Sequence, residues 1–280
     1  MAIHTSVYSM SKNLTVIKLG GALLTDKQRP LTLHQSILNQ VATEVRRCLD
    51  AALFDRLLLV HGVGSFGHFP VVQHRLHKGF KSPSQLIHLT YAQNSVMQLR
   101  LAIAEAFHNE GVPVCTIFPS SCMSATGSVL KSSYLDTIAG FLELGMAPLI
   151  GGDVLVDDQD GFCVYSGDKI AVDLALYFGA SRLIFTTAVD GIYDRDPMTS
   201  PDARRFERFS LSGEGGSSAQ SDVNLNVDAS GAMEGKLAAI QPARDAIAAG
   251  LRVYVISMRD EGNLLALLNG EQGIGTQVVL

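Results

Sequence analysis

The stretch LLLVHGVGSFGHFP, residues 57–70, decides the first step of the fold. A short apolar run ends at His61, and Gly62 to Gly67 then reads G-x-G-x-x-G. This pattern is typical of a strand that turns through glycines into a helix, where backbone N–H groups approach a phosphate closely. The stretch therefore predicts a phosphate site at the end of a strand.

Dinucleotide-binding domains use the same pattern, but in a different setting. There it opens the first β–α–β unit, and an acidic residue about 20 positions later binds the ribose. Here it follows the second apolar strand, and residues 82–90, SPSQLIHLT, contain no acid. We therefore expect the loop to hold a phosphate that does not belong to a dinucleotide.

A second glycine turn lies upstream. The run LTVIKL, residues 14–19, ends at Gly20 and Gly21. Because parallel strands place their following loops on one edge of the sheet, both turns should face a common site. The cations that accompany the two turns, and two further lysines downstream, are Lys18, His68, Lys27 and Lys236.

Composition limits the possible classes of protein. The chain has 280 residues, 47% hydrophobic, which suffices for one large or two closely joined domains. Its net charge of -5 gives no support for binding nucleic acid or an anionic membrane. The four cysteines are scattered, and no apolar stretch nears the length of a membrane span. We expect a reduced cytoplasmic protein without structural zinc.

Charge is distributed unevenly along the chain. Between Asp55 and Glu105 there is no acidic residue, whereas five of the eight histidines and several cations lie there. Such a stretch can arise by chance, or it can form a surface that receives an anion. The glycine loop lies inside it.

Apolar strands and helical repeats alternate along the chain, which predicts a mostly parallel sheet covered on both faces. A hairpin with its turn at residues 159–161 interrupts the alternation. Strands are predicted at 14–19, 56–60, 112–118, 147–152, 181–188, 252–258 and 276–280, and helices at 33–53, 85–110, 135–144, 168–178 and 233–249.

A possible domain boundary lies near Gly179, where a predicted helix ends before a new strand. It divides the chain into residues 1–179 and 180–280, although one continuous sheet can run through it. Residues 208–230 are rich in Gly, Ser and Asn and lack any period, so the weakest order is expected there.

Six motifs, in this order and spacing, resemble the amino acid kinase superfamily, and within it the isopentenyl phosphate kinases. They are VIKLGG, TDK, HGVGSFGH, YSGD, VDGIYDRDP and GAMEGK. The resemblance covers the chain from Leu14 onward. It implies an open αβα sandwich that works as a homodimer, in which the N-terminal half binds a phosphoryl acceptor and the C-terminal half binds ATP with Mg²⁺.

The resemblance also implies roles for individual residues. Lys18 bridges the ATP phosphates, Lys27 supports the transferring group, His68 binds the acceptor's phosphate, and Asp168 orients the lysines. The acceptor path is lined by Val63, Gly64 and Gly152. The nucleotide is bound by Lys18, Gly20, Gly21, Gly64, Asp190, Gly191, Tyr193, Asp196, Gly235 and Lys236. No residue is assigned as a metal ligand.

The chain departs from the family pattern at several positions. Val63 replaces the middle glycine of a frequent GGG, Ala188 replaces an Asp, and Ala22 replaces a Ser. Ser230-Gly231-Ala232 replaces Thr-Gly-Gly. This replacement is also seen in relatives that phosphorylate fosfomycin. A kinase for a small phosphonate is therefore the first alternative, and a non-catalytic nucleotide-binding regulator is the second.

Charge favours an acceptor that is already an anion. A phosphate monoester has a second pKa of about 6 and needs no carboxylate base at neutral pH. Its difficulty is repulsion from ATP, which an acid-free loop with a histidine and two lysines relieves. A helical stripe of Leu86, Leu89, Met97 and Leu101 is either core or one wall of an apolar acceptor pocket.

Overall fold

The computed structural model describes residues 13–211 and 232–280, which fold into two β-sheets with helices packed on them. The strands of these residues are β1 (Leu14–Leu19), β2 (Arg56–His61), β3 (Val114–Thr116), β4 (Met123–Thr126), β5 (Val129–Ser133), β6 (Ala147–Gly151), β7 (Asp153–Asp157), β8 (Gly161–Tyr165), β9 (Arg182–Thr187), β10 (Arg208–Ser210), β11 (Arg252–Ser257) and β12 (Thr276–Val279).

Helices connect most of these strands. They are α1 (Gly21–Leu24), α2 (Gln35–Asp50), α3 (Gly64–Gln73), α4 (Gln85–Asn109), α5 (Pro119–Cys122), α6 (Asp136–Glu143), α7 (Gly167–Tyr177), α8 (Ala232–Ile240), α9 (Arg244–Ala248) and α10 (Asn263–Leu268), with 3₁₀ turns at Leu76–Lys78 and Gln241–Ala243. No helix of the described ranges is long and apolar enough to cross a bilayer.

The larger sheet has eight strands in the order β10-β12-β11-β9-β1-β2-β6-β3. Its pairs are parallel except β11–β12. The central strand β1 pairs with β2 on one side and β9 on the other, so the sheet is continuous across the boundary near Gly179. The predicted αβα sandwich with a mostly parallel sheet is confirmed.

Alternation along β1 explains why both faces are covered. All six residues of β1 are buried. Leu14 and Val16 pack into the core under α6, α7 and α8, whereas Ile17 and Leu19 pack into the core under α2, α4 and α10. Because side chains alternate across a strand, Lys18 lies on the face of Val16, toward α7 and α8.

A second sheet, of four strands in the order β5-β4-β7-β8, lies against α4 and the 3₁₀ turn at Leu76–Lys78. The hairpin β7–β8 turns where the sequence predicts it. The hairpin β4–β5 was not predicted. The two hairpin turns are joined through the carboxylate of Asp157, which accepts hydrogen bonds from the backbone N–H groups of Gly127, Ser128, Gln159 and Asp160.

Several further elements differ from the sequence-based expectation. The single helix predicted at 233–249 is broken into α8, a 3₁₀ turn and α9, because Pro242 lacks the N–H that a continuous helix needs. Helix α3 and helix α10 were not predicted. Within the segment expected to have the weakest order, residues 208–210 form strand β10 and residues 212–230 lie outside the described residues.

Candidate active site

Two buried lysines share one carboxylate at the carboxyl edge of the large sheet. Lys18 Nζ lies 2.7 Å from Asp168 Oδ1, and Lys236 Nζ lies 3.1 Å from Asp168 Oδ2. Lys18 is 6% exposed and Lys236 is 5% exposed. The structure thus brings together three predicted site residues that lie far apart in the sequence.

Each member of this group comes from a different element. Lys18 is the fifth residue of β1, Asp168 is the second residue of α7, and Lys236 lies in α8. Asp168 lies in the first turn of α7 but does not cap the helix. The cap is instead Ser166, whose side chain accepts from the Lys169 N–H, and this leaves the Asp168 carboxylate free to bind the lysines.

The charges of the group perturb one another. Burial opposes ionisation of Asp168, but Lys18 and Lys236 outweigh it and hold the pKa of the carboxyl well below its usual range. Burial, together with Lys18, lowers the pKa of Lys236 to about 8 against the attraction of Asp168. Lys236 Nζ also lies 4.7 Å from the ring centre of Phe185, a cation–π distance. Two cations and one carboxylate leave one net positive charge in a buried place.

The two glycine turns meet backbone to backbone beside the lysines. A Cβ on Gly21 would lie 2.4 Å from Gly64 N, and one on Gly62 would lie 2.8 Å from Gly21 N and 3.3 Å from Lys18 Nζ. Gly20 is packed as closely against Thr186 O, at 2.4 Å. These positions accept only glycine because any side chain would push the turns apart.

The glycine loop presents free donors to this site. Gly64, with φ +47°, starts α3 after Val63. The Ser65 N–H is bound by Thr25 Oγ1 at 2.9 Å. Neither the Val63 nor the Gly64 N–H donates to another group in residues 13–211 or 232–280. Two unpartnered amides at the start of a helix are suited to an anion.

Gly152 closes the site from the neighbouring strand β6. Its N–H donates to His61 O at 3.0 Å. A Cβ on Gly152 would lie 2.9 Å from Val63 Cγ1 and 3.2 Å from Gly167 N. Gly152, Val63 and the start of α7 are therefore in contact, as their predicted common role requires.

Two predicted catalytic residues lie at the surface. His68 is exposed on α3, one turn after Gly64, and Lys27 is exposed in the turn that follows Thr25. Neither makes a hydrogen bond or ion pair with a described residue. The residue of the TDK motif that contacts the glycine loop is Thr25, which also donates to Gly21 O at 2.7 Å. Sequence reasoning missed Thr25.

The residues assigned to the nucleotide pocket after β9 form a network of their own. Asp190 accepts hydrogen bonds from the Tyr193 hydroxyl and from Arg205, whose Nη1 lies 2.7 Å from Asp190 Oδ2. A Cβ on Gly191 would lie 2.5 Å from Thr276 Oγ1. Asp196 accepts from the Met198 N–H at 2.8 Å and so closes a turn. Burial and the hydrogen bond to Asp190 raise the pKa of the Tyr193 hydroxyl to about 12, so this hydroxyl keeps its proton.

Gly235 precedes Lys236 on α8 and is exposed. A Cβ there would meet nothing within 4 Å. Packing therefore does not explain a glycine that costs a helix interior roughly 0.5–1 kcal/mol. Ser230 and Gly231, part of one departure from the family pattern, lie outside the described residues.

Three of the four residues of the predicted apolar stripe on α4 do not lie in the core. Leu86, Met97 and Leu101 are about half exposed. Val96, one residue from Met97, is buried, and its Cγ2 would lie 3.1 Å from a Cβ on Gly67. The face of α4 that packs on the glycine loop's helix therefore includes Val96, and the reading of the stripe as an acceptor wall stays a prediction.

His61, at the end of β2, and Arg100, in α4, were not among the predicted site residues. Both are buried, and Arg100 Nε donates to His61 Nε2 at 3.0 Å. Burial, Arg100 and Lys18 lower the pKa of His61 to about 3, so the imidazole is neutral. The His61 ring is hydrogen-bonded to the backbone of Gly62, the first glycine of the loop.

Comparisons with known proteins show the family to which the chain belongs. Residues 13–257 match the model of the amino acid kinase family. An isopentenyl phosphate kinase of Methanothermobacter thermautotrophicus is 29% identical over 95% of this chain and 98% of its own length. One from Arabidopsis thaliana is 30% identical over 72% of this chain and 71% of its own.

A solved structure extends the likeness to three dimensions. An isopentenyl phosphate kinase structure superposes with a TM-score of 0.79 and 27% identity, covering 95% of this chain and 100% of the other. The chain therefore belongs to the amino acid kinase family, and its relatives within that family include isopentenyl phosphate kinases.

Proposed function

We propose that this protein is a kinase that transfers the γ-phosphoryl group of ATP to isopentenyl phosphate, forming isopentenyl diphosphate. The named relatives support the choice of acceptor. The observation that carries the proposal is the buried pair Lys18 and Lys236, held by the single carboxylate of Asp168 beside two glycine turns.

The reaction explains why two cations are buried. Phosphoryl transfer requires positioning and positive charge around oxygens whose negative charge spreads in the transition state. Burying a lysine is costly, and one shared carboxylate compensates only part of that cost. The remaining positive charge attracts two phosphates that repel each other. A protein that only bound a nucleotide at its surface would not need this arrangement.

The roles divide between the two sides of the site. Lys18 and Lys236 contact the transferring phosphate from the sheet and from α8, and Asp168 fixes their ammonium groups. The free Val63 and Gly64 N–H groups bind phosphate oxygens across from them. His68, exposed one turn along α3, binds the acceptor's phosphate, and Lys27 reaches the site from its exposed turn. The nucleotide side is completed by Gly20, Gly21, Asp190, Gly191, Tyr193, Asp196 and Gly235.

ATP and Mg²⁺ are part of the proposal. Within the described ranges there is no group of three His, Cys, Asp or Glu side chains that could hold a metal, and the carboxylate of Asp168 is bound to two lysines. These residues fit a Mg²⁺ that is carried by the ATP phosphates, which is common for this ion. When bound, such an ion would neutralise part of the negative charge of the ATP phosphates.

We also propose a cytoplasmic homodimer. The four cysteines are unpaired thiols, which suits a reducing compartment with ATP. Helix α4 exposes Ile87, Tyr91, Met97 and Leu101, and it carries no exposed Lys, Arg, Asp or Glu before Glu105. A second copy of the same helix is a suitable cover for such a surface. Light scattering of the wild type and of Leu101→Glu checks this.

The function is tested by measuring ADP release with MgATP and either isopentenyl phosphate or fosfomycin. We expect turnover with isopentenyl phosphate at a higher kcat/KM than with fosfomycin. Lys18→Met should lower kcat by more than about a hundredfold, because charge that acts in the transition state is lost. A matched control is Lys131→Met, which removes an exposed lysine paired with Asp158.

The outcomes separate the alternatives. A higher kcat/KM with fosfomycin would replace the acceptor while keeping phosphoryl transfer. Binding of ATP without ADP release, across a panel of small phosphates, would favour the non-catalytic regulator. A Lys18→Met enzyme as active as the Lys131→Met control would remove Lys18 from the mechanism.

A further inference from the structure

Arg100 is a buried cation that forms no ion pair with any residue the structure describes. It is 2% exposed, and its Nη2 finds no hydrogen-bond partner among residues 13–211 and 232–280. The buried carboxylate that attracts it, Asp153, makes no ion pair with it within 4 Å and instead accepts from the Ser120 and Val154 N–H groups. The guanidinium lies 4.7 Å from the ring centre of Phe118.

Stability does not account for such a residue. A buried charge that lacks a paired carboxylate costs free energy, and an apolar side chain of similar size is often tolerated as well or better. Burial lowers the pKa of the Arg100 guanidinium, which expresses the same cost. The benefit must come from what Arg100 contacts, and among the described residues its hydrogen bond goes to His61.

That contact fixes the tautomer of His61. A guanidinium only donates hydrogen bonds, so His61 Nε2 must be the acceptor and Nδ1 must carry the proton. Nδ1 lies 3.1 Å from Gly62 O and therefore donates to it. A chain of two hydrogen bonds thus runs from Arg100 through a neutral imidazole to the carbonyl of the first glycine of the loop.

The carbonyl direction sets the direction of the next amide. In a trans peptide the C=O and the following N–H point to opposite sides, and the described chain has no cis peptide. Holding Gly62 O toward His61 therefore turns the unpartnered Val63 N–H away from it. The same His61 also accepts the Gly152 N–H through its carbonyl, so it joins both turns of the acceptor side.

We propose that Arg100 and His61 are positioning residues, which hold the Gly62–Val63 peptide so that the Val63 N–H binds the phosphate in the transfer step. The proposal rests on the proposed kinase function of the same site. Neither side chain touches the substrate. Both act through the loop.

The first test replaces the charge. Arg100→Met keeps length and apolar packing. We expect its thermal midpoint to stay within a few degrees of wild type while kcat falls by roughly ten- to a hundredfold, with the KM for ATP changed less than about threefold. Arg100→Lys, which still offers a donor to His61, should recover part of kcat. Arg182→Met is the matched control, a half-buried arginine that donates to Leu53 O at the opposite edge of the sheet.

The second test separates the two nitrogens of His61. His61→Asn places an amide donor near the Nδ1 position and can still hold Gly62 O, whereas His61→Gln places its amide near Nε2 and meets only Arg100. We expect Asn to retain at least about ten times the kcat of Gln, although both lose stability. If His61 had only a structural role, the kcat of the Asn and Gln variants would fall in proportion to the loss in their thermal midpoints.

Three results would overturn the positioning role: wild-type kcat in Arg100→Met, equal kcat in the Asn and Gln variants, or a loss in Arg182→Met as large as in Arg100→Met. Absence of turnover by wild type with both acceptors would instead reject the proposed function. The same variants are then compared by calorimetric titration with inorganic phosphate, the simplest anion that the Val63 N–H could bind. Weaker binding by Arg100→Met and His61→Gln than by His61→Asn supports the positioning role, and equal binding rejects it.

Discussion

Lys236 should impose a basic limit on the reaction. Its ammonium is buried, and burial with Lys18 beside it lowers its pKa from the usual 10.5 to about 8. A shift of this size means that the protein environment disfavours the charged ammonium, relative to the neutral amine, by roughly 3 kcal/mol. We therefore expect kcat/KM for ATP to be level near neutral pH and to fall about tenfold per pH unit above about pH 8, as the free enzyme loses this proton.

Bound ATP should move the same limit. Phosphate oxygens near the ammonium favour its charged form, so the profile of kcat should bend at a higher pH than that of kcat/KM. Stability should change in the opposite direction. Because the folded-state pKa of Lys236 is depressed, the unfolded chain binds more protons between about pH 8 and 10.5, and the free energy of unfolding rises with pH across this window. A loss of activity between about pH 8 and 10.5 would therefore not be caused by unfolding.

The assay is ADP release over a range of ATP concentrations between about pH 6.5 and 10, with urea unfolding at the same pH values. Lys236→Arg keeps a charge at every pH and should lose the bend near 8, whatever its absolute rate. Asp168→Asn removes the attraction that keeps Lys236 charged and should move the bend toward neutral pH. Lys131→Arg, at the exposed pair with Asp158, should follow the wild type. A wild-type kcat/KM that stays level to about pH 9.5 would refute the argument.

Three further predictions concern the acceptor side. His68→Ala should raise the KM of the acceptor and lower kcat/KM by roughly ten- to a thousandfold, by loss of a charge-assisted hydrogen bond; steady-state kinetics with unchanged acceptor constants would contradict this. Gly64→Ala should lower the free energy of unfolding by more than about 1 kcal/mol and abolish turnover. The new Cβ would lie 2.1 Å from Thr25 Oγ1, at a backbone φ of +47°. Urea unfolding measures the change in stability, and unchanged stability would contradict the prediction. Val96→Ala should raise relative activity on geranyl phosphate by making room beside α3, whereas Met97→Ala on the same helix should not; equal effects would reject Val96 as a pocket wall.

Fold prediction succeeded where the sequence repeats one physical pattern. The inner strands β1, β2, β6, β9 and β11 are short apolar runs because they are largely buried, and helices α2 and α6 keep a clear apolar stripe. Helix α3 was missed because it contains Gly64, Gly67 and Pro70, which usually end helices. The break after α8 could have been found, since Pro242 is visible within the predicted helix.

The site was predicted as a set of residues but not as a set of contacts. Motif spacing indicated Lys18, Asp168 and Lys236, yet nothing local shows that one carboxylate binds both lysines. Arg100 could not be found at all. It lies among apolar residues of α4 at a position that a helical repeat assigns to the core, and a charged residue in such a repeat is usually read as a surface exception. Only the contact with His61 explains it.

The number of carboxylates in the site follows from its task. Two lysines without Asp168 would repel each other, and Lys236, with a pKa already near 8, would lose its proton at neutral pH. A second carboxylate would hold the lysines more firmly but would cancel the charge that attracts phosphate. One carboxylate between two lysines is the arrangement that keeps both ammonium groups charged and leaves one positive charge for the ligand. The acid-free stretch between Asp55 and Glu105 preserves that excess on the acceptor side, where neutral His61 lets Arg100 orient the loop without adding an anion.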